Sequence, residues 1–181
     1  MAEVSGPKWC ERFPGSKSPD ALLPDFRGRL LAFISAMERG GAGVVVTATY
    51  RPPERAYLMH WCWRIANGGC NPGDVQQMAK VDIDWTHRGD GAAARAAAGA
   101  MVQAFDLNYA PALDSNHCHR RAVDMTIGWH DTLSVLDFEA RERHIKSTPR
   151  DGSNRELIQV GATFGVFKLA GDPPHWSDDG H

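Results

Sequence analysis

The sequence lacks an excess of charge of either sign. Its 181 residues carry 20 basic and 22 acidic side chains, which gives a formal net charge of −2. A nucleic-acid binder usually has a basic excess that displaces counterions from phosphate, so the overall charge predicts no nucleic-acid partner. Hydrophobic residues at 43% and charged residues at 23% are close to the averages of globular domains, which excludes collagen-like, coiled-coil and wholly disordered classes.

Long apolar runs are also absent. No stretch reaches the roughly 18 to 20 apolar residues that a membrane-spanning helix needs, because Arg95 and Gly99 interrupt the most apolar long segment. No apolar run lies between the first charged residue and residue 20, so no secretory signal is visible. We therefore expect a protein that is made and kept in the cytoplasm, without membrane insertion.

Cysteine is scarce, and the four cysteines contain no CxxC pair: Cys10, Cys62, Cys70 and Cys118. In a reducing compartment they are expected to be free thiols or small core residues rather than two disulfides. Cys118 lies between two histidines and is a further candidate for metal binding. A solvent-exposed turn is the favoured interpretation of that residue and of His119.

The chain has the length of one globular domain. Residues 1–19 are rich in Pro, Gly, Ser and Lys, which predicts an extended N-terminal arm, and residues 20–181 are predicted to form one domain. Apolar spacing predicts helices over 20–39 and 52–66, an Ala-rich stretch predicts a helix over 91–107, and Asn154 as a cap predicts a helix over 155–163.

Strands are predicted from β-branched and alternating segments, over 43–49, 122–127 and 166–169. Residues 109–129 are interpreted as strand, turn and strand, and residues 131–152, which are dense in charge, as a surface helix and loop. This order of elements predicts an α+β fold, a single compact domain with a small, mostly antiparallel sheet flanked by helices.

Four polar residues in the C-terminal half have informative spacings: His117, Asp124, Asp172 and His175. A turn over residues 118–121 would place His117 and Asp124 on neighbouring strands, facing one site. The two prolines between Asp172 and His175 favour polyproline II, with about three residues per turn, which would project both side chains to the same side.

Two histidines and one carboxylate recur in catalytic zinc sites, where a fourth position is left for water. A second carboxylate nearby can accept a proton from that water, whose pKa zinc lowers to near 7. The alternatives are a structural metal site or ordinary polar packing, and for Asp172 a role in capping a turn. A Ser-His-Asp hydrolase is not favoured, because no Gly-x-Ser-x-Gly segment occurs.

Three segments resemble motifs of the family of zinc D-Ala-D-Ala carboxypeptidases and L-alanyl-D-glutamate endopeptidases. Residues 115–124, Ser-Asn-His-Cys-His-Arg-Arg-Ala-Val-Asp, are similar to the Ser-x-His-x-x-Gly-x-Ala-x-Asp signature of that family. The segment 172–176, Asp-Pro-Pro-His-Trp, resembles its acid-x-x-His-aromatic motif, and residues 49–52, Thr-Tyr-Arg-Pro, resemble its Tyr-Arg element. The three segments span most of the chain in the order of the family motifs.

The resemblance implies a role for each matching residue. His117, Asp124 and His175 would bind zinc, and Asp172 would be the general base. Arg51 would bind a substrate carboxylate or polarise the scissile carbonyl, with a surface salt bridge as the alternative.

Two further residues would shape the substrate cleft. Ser115 would line it, and Trp176, next to a zinc ligand, would form part of its wall. The sequence departs from the family signature at Arg120, which stands in the place of glycine. An arginine there is strained if the turn requires a positive φ.

An Asp rather than a Glu as the base is more similar to the phage endolysin branch of the family. The sequence thus predicts a zinc metallopeptidase that cleaves the peptide stem of bacterial peptidoglycan, as an L-alanyl-D-glutamate endopeptidase and phage endolysin. A D-Ala-D-Ala carboxypeptidase or dipeptidase is one alternative, and a catalytically inactive, zinc-stabilised cell-wall-binding or virion module is another. We expect a monomer that acts on the cell wall after release from the cytoplasm.

Overall fold

A computed structural model describes residues 2–181 of the chain. It has the predicted α+β architecture, with four α-helices and a mostly antiparallel sheet. The helices are α1 (Pro24–Arg39), α2 (Pro53–Ala66), α3 (Gly91–Phe105) and α4 (Arg155–Thr163). The strands are β1 (Glu3–Val4), β2 (Gly43–Ala48), β3 (Ile83–Asp84), β4 (Ala122–Gly128), β5 (Leu133–Leu136), β6 (Glu142–Ile145), β7 (Phe167–Lys168) and β8 (His175–Ser177). None of these helices is both long and apolar enough to cross a membrane.

Internal contacts divide the chain into two compact units, so the predicted domain over residues 20–181 is split between them. The first unit comprises the residues up to Gly15 and Arg51–Ser115. It packs α2 against α3, and β1 pairs with β3 in parallel. Its buried core consists of Trp9, Tyr57, Leu58, Cys62, Ile65, Val81, Ile83, Trp85, Ala98 and Met101.

The N-terminal segment differs from the predicted extended arm. Glu3 and Val4 form a strand, Pro7–Glu11 form a 3-10 helix, and Trp9 is buried, with its indole N–H donating to the Val4 carbonyl oxygen at 3.2 Å. The Pro, Gly and Ser content of this segment predicts extension, but pairing with β3 and burial of a large aromatic ring hold it against the core.

The second unit comprises Ser16–Tyr50 and Asn116–His181 and contains the four candidate residues of the C-terminal half. Its sheet has the order β2-β4-β8-β7, and every neighbouring pair is antiparallel. In β4 the side chains of Val123, Met125 and Ile127 are buried in the core. Because side chains alternate along a strand, Asp124 projects from the opposite face.

Helix α1 covers the core face of this unit because its apolar residues recur at helical spacing. Phe26, Leu30, Phe33 and Met37 are all essentially inaccessible to solvent. The chain turns after Arg39 at Gly41, whose φ of 95° falls in the region that favours glycine. The predicted helix over 20–39 is confirmed from Pro24 onward, and residues 19–21 form a short 3-10 turn instead.

Two predicted segments are wrong. Within residues 131–152, β5 and β6 form a β-hairpin in place of the predicted surface helix, with Leu133 and Val135 pointing into the core. Asp137, which is buried directly after β5, accepts hydrogen bonds from the side chains of Arg141 and Arg143. The charged residues of this segment therefore stabilise the turn between β5 and β6. The strand predicted to begin near residue 109 is an irregular segment.

The four cysteines are free thiols, in agreement with the sequence interpretation. Cys62 is fully buried in the first unit, and burial raises the pKa of its thiol to about 12. Cys62 is therefore a small core residue that stays uncharged at neutral pH.

Candidate metal site

Strand pairing brings Asp124 and His175 together. In the antiparallel register of β4 and β8, Asp124 lies directly opposite His175. Side chains opposite each other in such a pair have Cβ atoms about 4.5–5.5 Å apart, close enough for both to reach one ion. The separation of Asp124 Oδ1 from His175 Nδ1 is 3.3 Å.

His117 is supplied by a turn and not by a strand as the sequence suggested. Residues 116–120 form this turn, which is closed by hydrogen bonds from the Arg120 amide to the His117 carbonyl oxygen (3.3 Å) and from the Arg121 amide to the Asn116 carbonyl oxygen (2.8 Å). The His117 side chain is almost fully buried. Its Nε2 lies 3.1 Å from Asp124 Oδ1 and 3.2 Å from His175 Nδ1.

The three ligand atoms have the mutual distances of a tetrahedral site. Ligands about 2.0–2.1 Å from a tetrahedral zinc ion are separated from each other by about 3.3 Å. The three observed separations are 3.1, 3.2 and 3.3 Å. His117, Asp124 and His175 therefore form a group that could hold a metal ion.

The second nitrogen of each histidine ring faces a backbone carbonyl oxygen, which can only accept a hydrogen bond. Nδ1 of His117 donates to the Thr49 carbonyl oxygen at 2.7 Å, and Nε2 of His175 donates to the His181 carbonyl oxygen at 3.1 Å. These contacts assign the proton of each neutral ring to the outer nitrogen. The lone pairs of the two inner nitrogens then face the site, as metal binding requires.

Thr49 itself is held firmly, so the carbonyl that orients His117 has a fixed position. Its amide donates to the Ser16 carbonyl oxygen at 2.8 Å, and its hydroxyl lies 3.0 Å and 2.9 Å from the carbonyl oxygens of Ser16 and Ser18. The sequence interpretation placed Thr49 in a motif but missed this role, because a backbone acceptor has no residue-type signal.

Asp124 is the charged member of the group. Burial alone would raise the pKa of Asp124, but the neighbouring rings of His117 and His175 outweigh burial and hold the pKa below its ordinary value. The carboxylate is thus ionised at neutral pH, which is the state that binds a cation.

Asp172 lies in a turn immediately before His175. The His175 amide donates to the Asp172 carbonyl oxygen at 3.2 Å, and Pro173 and Pro174 occupy the two central positions. The polyproline II conformation predicted for this segment is therefore wrong, because polyproline II has no internal hydrogen bonds. Asp172, whose side chain is half-buried, is the first residue of this turn, and the candidate ligand His175 is the last.

Lys168 is a residue that the sequence interpretation missed. Its ammonium group donates to the carbonyl oxygens of Asp172 and His175, the latter at 2.8 Å. It also lies 5.5 Å from the centre of the Trp176 ring. Burial lowers the pKa of Lys168, while the negative charges of Asp172 and Asp124 act in the opposite direction.

Trp176 does not form the wall of a cleft, so this prediction is wrong. The side chain has no exposed surface and packs in the core of the second unit, with its ring 5.5 Å from that of Phe33. Gly161 in α4 permits this packing, since an added Cβ would lie 2.8 Å from the indole ring. Trp176 follows His175 on β8 and therefore points to the opposite face of the sheet.

The other predicted residues lie outside the metal group. Arg51, which is half-buried and precedes α2, and Ser115 both belong to the first unit, so their roles stay predictions. Cys118 and His119 lie in the turn beside His117, where Cys118 is half-buried and His119 is exposed. Neither belongs to the metal group found in residues 2–181.

Arg120, which stands where the resembled signature has glycine, has a left-handed backbone. Its φ is 61°, in the left-handed region where a Cβ costs roughly 1–2 kcal/mol. The Arg120 guanidinium lies 4.6 Å from the centre of the Tyr50 ring, a cation–π contact worth about 0.5–1 kcal/mol at an exposed site. That contact offsets part of the strain, and the turn keeps its shape.

Two variants separate the strain from the ring contact. Arg120→Gly and Arg120→Ala both lose the contact with Tyr50, but only glycine relieves the left-handed backbone. After the greater flexibility of unfolded glycine is subtracted, we expect Arg120→Gly to be more stable than Arg120→Ala by about 0.5–1 kcal/mol. Urea unfolding in the presence of a chelator measures this difference, and equal stabilities would show that residue 120 is not left-handed in solution.

Comparison with known proteins assigns no family to the chain. No protein-family model matches it, and no curated protein matches it significantly. The interpretation of the metal group therefore depends on its geometry and on the chemistry of its three ligands.

Proposed function

We propose that this protein is a zinc metallopeptidase that hydrolyses an amide bond in the peptide stem of bacterial peptidoglycan. Within that class we propose an L-alanyl-D-glutamate endopeptidase that serves as a phage endolysin. The observation that carries the proposal is the convergence of His117, Asp124 and His175 at tetrahedral spacing, with Asp172 on the turn that leads into His175.

The ligand set supports zinc. Imidazole nitrogens with one carboxylate oxygen suit Zn²⁺, whereas Ca²⁺ and Mg²⁺ prefer six or more oxygen ligands. Three protein ligands are typical of catalytic zinc sites, and four are typical of structural ones. A zinc ion bound there would acidify water and polarise a carbonyl group.

The residues of the chain would then divide the remaining work. The Asp172 carboxylate would accept a proton from the attacking water and pass it to the nitrogen of the departing amine, which breaks the amide bond. Arg51 would bind a substrate carboxylate or the developing oxyanion with its planar, permanently charged guanidinium group. The backbone carbonyls of Thr49 and His181 would hold the two imidazole rings in place.

The inactive binding module is less well supported. Arg120 in place of glycine is the only feature that favours it, and the turn around His117 keeps the required left-handed residue in spite of the substitution. A structural site would also have no use for an additional carboxylate at Asp172.

Digestion of purified peptidoglycan tests the proposal directly. The protein, loaded with zinc, is incubated with the peptidoglycan, and new termini are identified by mass spectrometry. New N-terminal D-Glu is expected from the endopeptidase. Release of free D-Ala from peptidoglycan would instead identify a carboxypeptidase. Hydrolysis of the free dipeptide D-Ala-D-Ala would identify a dipeptidase.

Chelator-treated protein and Asp172→Ala are the controls for this digestion. The chelator-treated protein is expected to give no product, and Asp172→Ala is expected to act at no more than about one hundredth of the wild-type rate. Equal product from Asp172→Ala would contradict the assigned base, and binding of zinc without any product from the wild type would favour the binding module.

A further inference from the structure

Lys168 occupies an unusual position for a lysine, because its charged end is partly buried and points into a loop. The ammonium nitrogen lies near three backbone carbonyl oxygens, those of Leu169 (3.5 Å), Asp172 and His175 (2.8 Å). An ammonium group has three N–H donors, so these three acceptors use its full capacity.

The loop needs donors from elsewhere because two of its residues have none. Pro173 and Pro174 lack an amide N–H, so the turn from Asp172 to His175 has few donors of its own. The loop is closed by weak backbone bonds, from Leu169 to the His175 carbonyl oxygen and from Asp172 to the Leu169 carbonyl oxygen, both at 3.4 Å. Lys168 supplies the missing donors from the adjacent strand β7.

The side chain of Lys168 also lies against the core. In the register of β7 and β8, Lys168 lies opposite Trp176, and its ammonium group is 5.5 Å from the centre of the fully buried indole ring. The side chain is thus bounded by the core on one side and by the carbonyl oxygens of the loop on the other. The ammonium group is therefore confined to the loop.

We propose that Lys168 is a positioning residue for the metal site, which holds the turn that carries Asp172 and His175. For His175 this depends only on the metal group, and for Asp172 it rests on the proposed peptidase function. Without the ammonium group, the turn keeps its backbone hydrogen bonds, the shortest of them from the Met125 amide to the Pro174 carbonyl oxygen at 2.9 Å, but loses its three side-chain donors, so Asp172 and His175 are held less rigidly.

Lys168→Met tests this role, because methionine keeps the length and apolar contacts of the side chain and removes all three donors. Lys146→Met, at an exposed position of the same unit, is the matched control. Cobalt(II) is the probe, because its visible absorption reports the geometry of the ligands. We expect the dissociation constant for cobalt to rise about 10- to 100-fold in Lys168→Met, with an altered spectrum, and to be unchanged in Lys146→Met.

Thermal unfolding in excess chelator separates positioning from general stability. The proposal expects metal-free Lys168→Met to melt close to the wild type although it binds cobalt weakly. If that variant does not fold, Lys168→Gln, which is shorter, uncharged and has two N–H donors instead of three, is expected to bind cobalt more weakly than the wild type. Wild-type cobalt affinity and spectrum in the folded Lys168 variant would overturn the proposal.

Kinetics on a stem peptide distinguish this inference from the proposed function. A lower kcat at nearly unchanged KM is expected for Lys168→Met, because the turn carries the base and not the substrate-binding groups. If the wild type cleaves nothing but Lys168→Met still loses cobalt affinity, the peptidase function fails while the positioning role stands.

Discussion

His175→Ala is expected to abolish stoichiometric metal binding. A three-ligand zinc site divides a binding free energy on the order of 10 kcal/mol among its ligands, so the loss of one ligand weakens binding at least about 100-fold. The Asp124 carboxylate also loses its cross-strand partner at 3.3 Å. Isothermal titration with zinc measures the loss, and hydrolysis of peptidoglycan is expected to disappear with it.

His144→Ala is the matched control for this experiment. His144 belongs to the same unit, but its side chain is 55% exposed and is hydrogen-bonded to the Ser134 hydroxyl group. Zinc affinity in this variant is expected to equal that of the wild type. Retention of tight one-to-one zinc binding by His175→Ala would contradict the assignment of the metal group.

Asp172→Asn is expected to separate catalysis from metal binding. Removal of a general base typically lowers the rate about 100- to 10,000-fold, so kcat on the cleaved peptide should fall by that amount. Zinc affinity should change by less than about threefold, because the bond from the His175 amide and the bond from Lys168 both go to the backbone carbonyl of residue 172. Asn is also favoured at the first position of such a turn, so the backbone is kept.

Steady-state kinetics and zinc titration on the same preparation check both halves of this prediction. Asp20→Asn is a suitable control, because the Asp20 carboxylate is 85% exposed. A variant Asp172→Asn that loses zinc together with activity would show that Asp172 is structural. Full activity with zinc bound would assign the proton transfer to another residue.

The regular elements of the second unit are largely predictable from the sequence. Apolar spacing predicts α1, Asn154 as an N-cap predicts α4, and the β-branched run Val44-Val45-Val46 predicts β2. The hairpin of β5 and β6 was not predictable in the same way. Only Leu133 and Val135 show the alternation of a strand, and β6 exposes three consecutive residues, so its pattern is that of a solvated segment.

The candidate site is also predictable from the sequence only in part. The ligand residues could be proposed from motif spacing, because a metal group requires particular side chains. The orienting carbonyls of Thr49 and His181 could not, since every residue has a carbonyl. Trp176 is adjacent to His175 in the sequence but lies in the core and not beside the site, because adjacent residues of a strand face opposite sides of the sheet.

Metal binding and core packing would both depend on the register in which β4 and β8 pair. A slip of one residue in this pairing would move His175 away from Asp124 and would also turn Trp176 out of the core. A bound ion and the hydrophobic core would thus favour the same alignment of the two strands, independently of each other. A chain that misaligns them loses both at once, so bound metal would mark correctly paired molecules in any preparation.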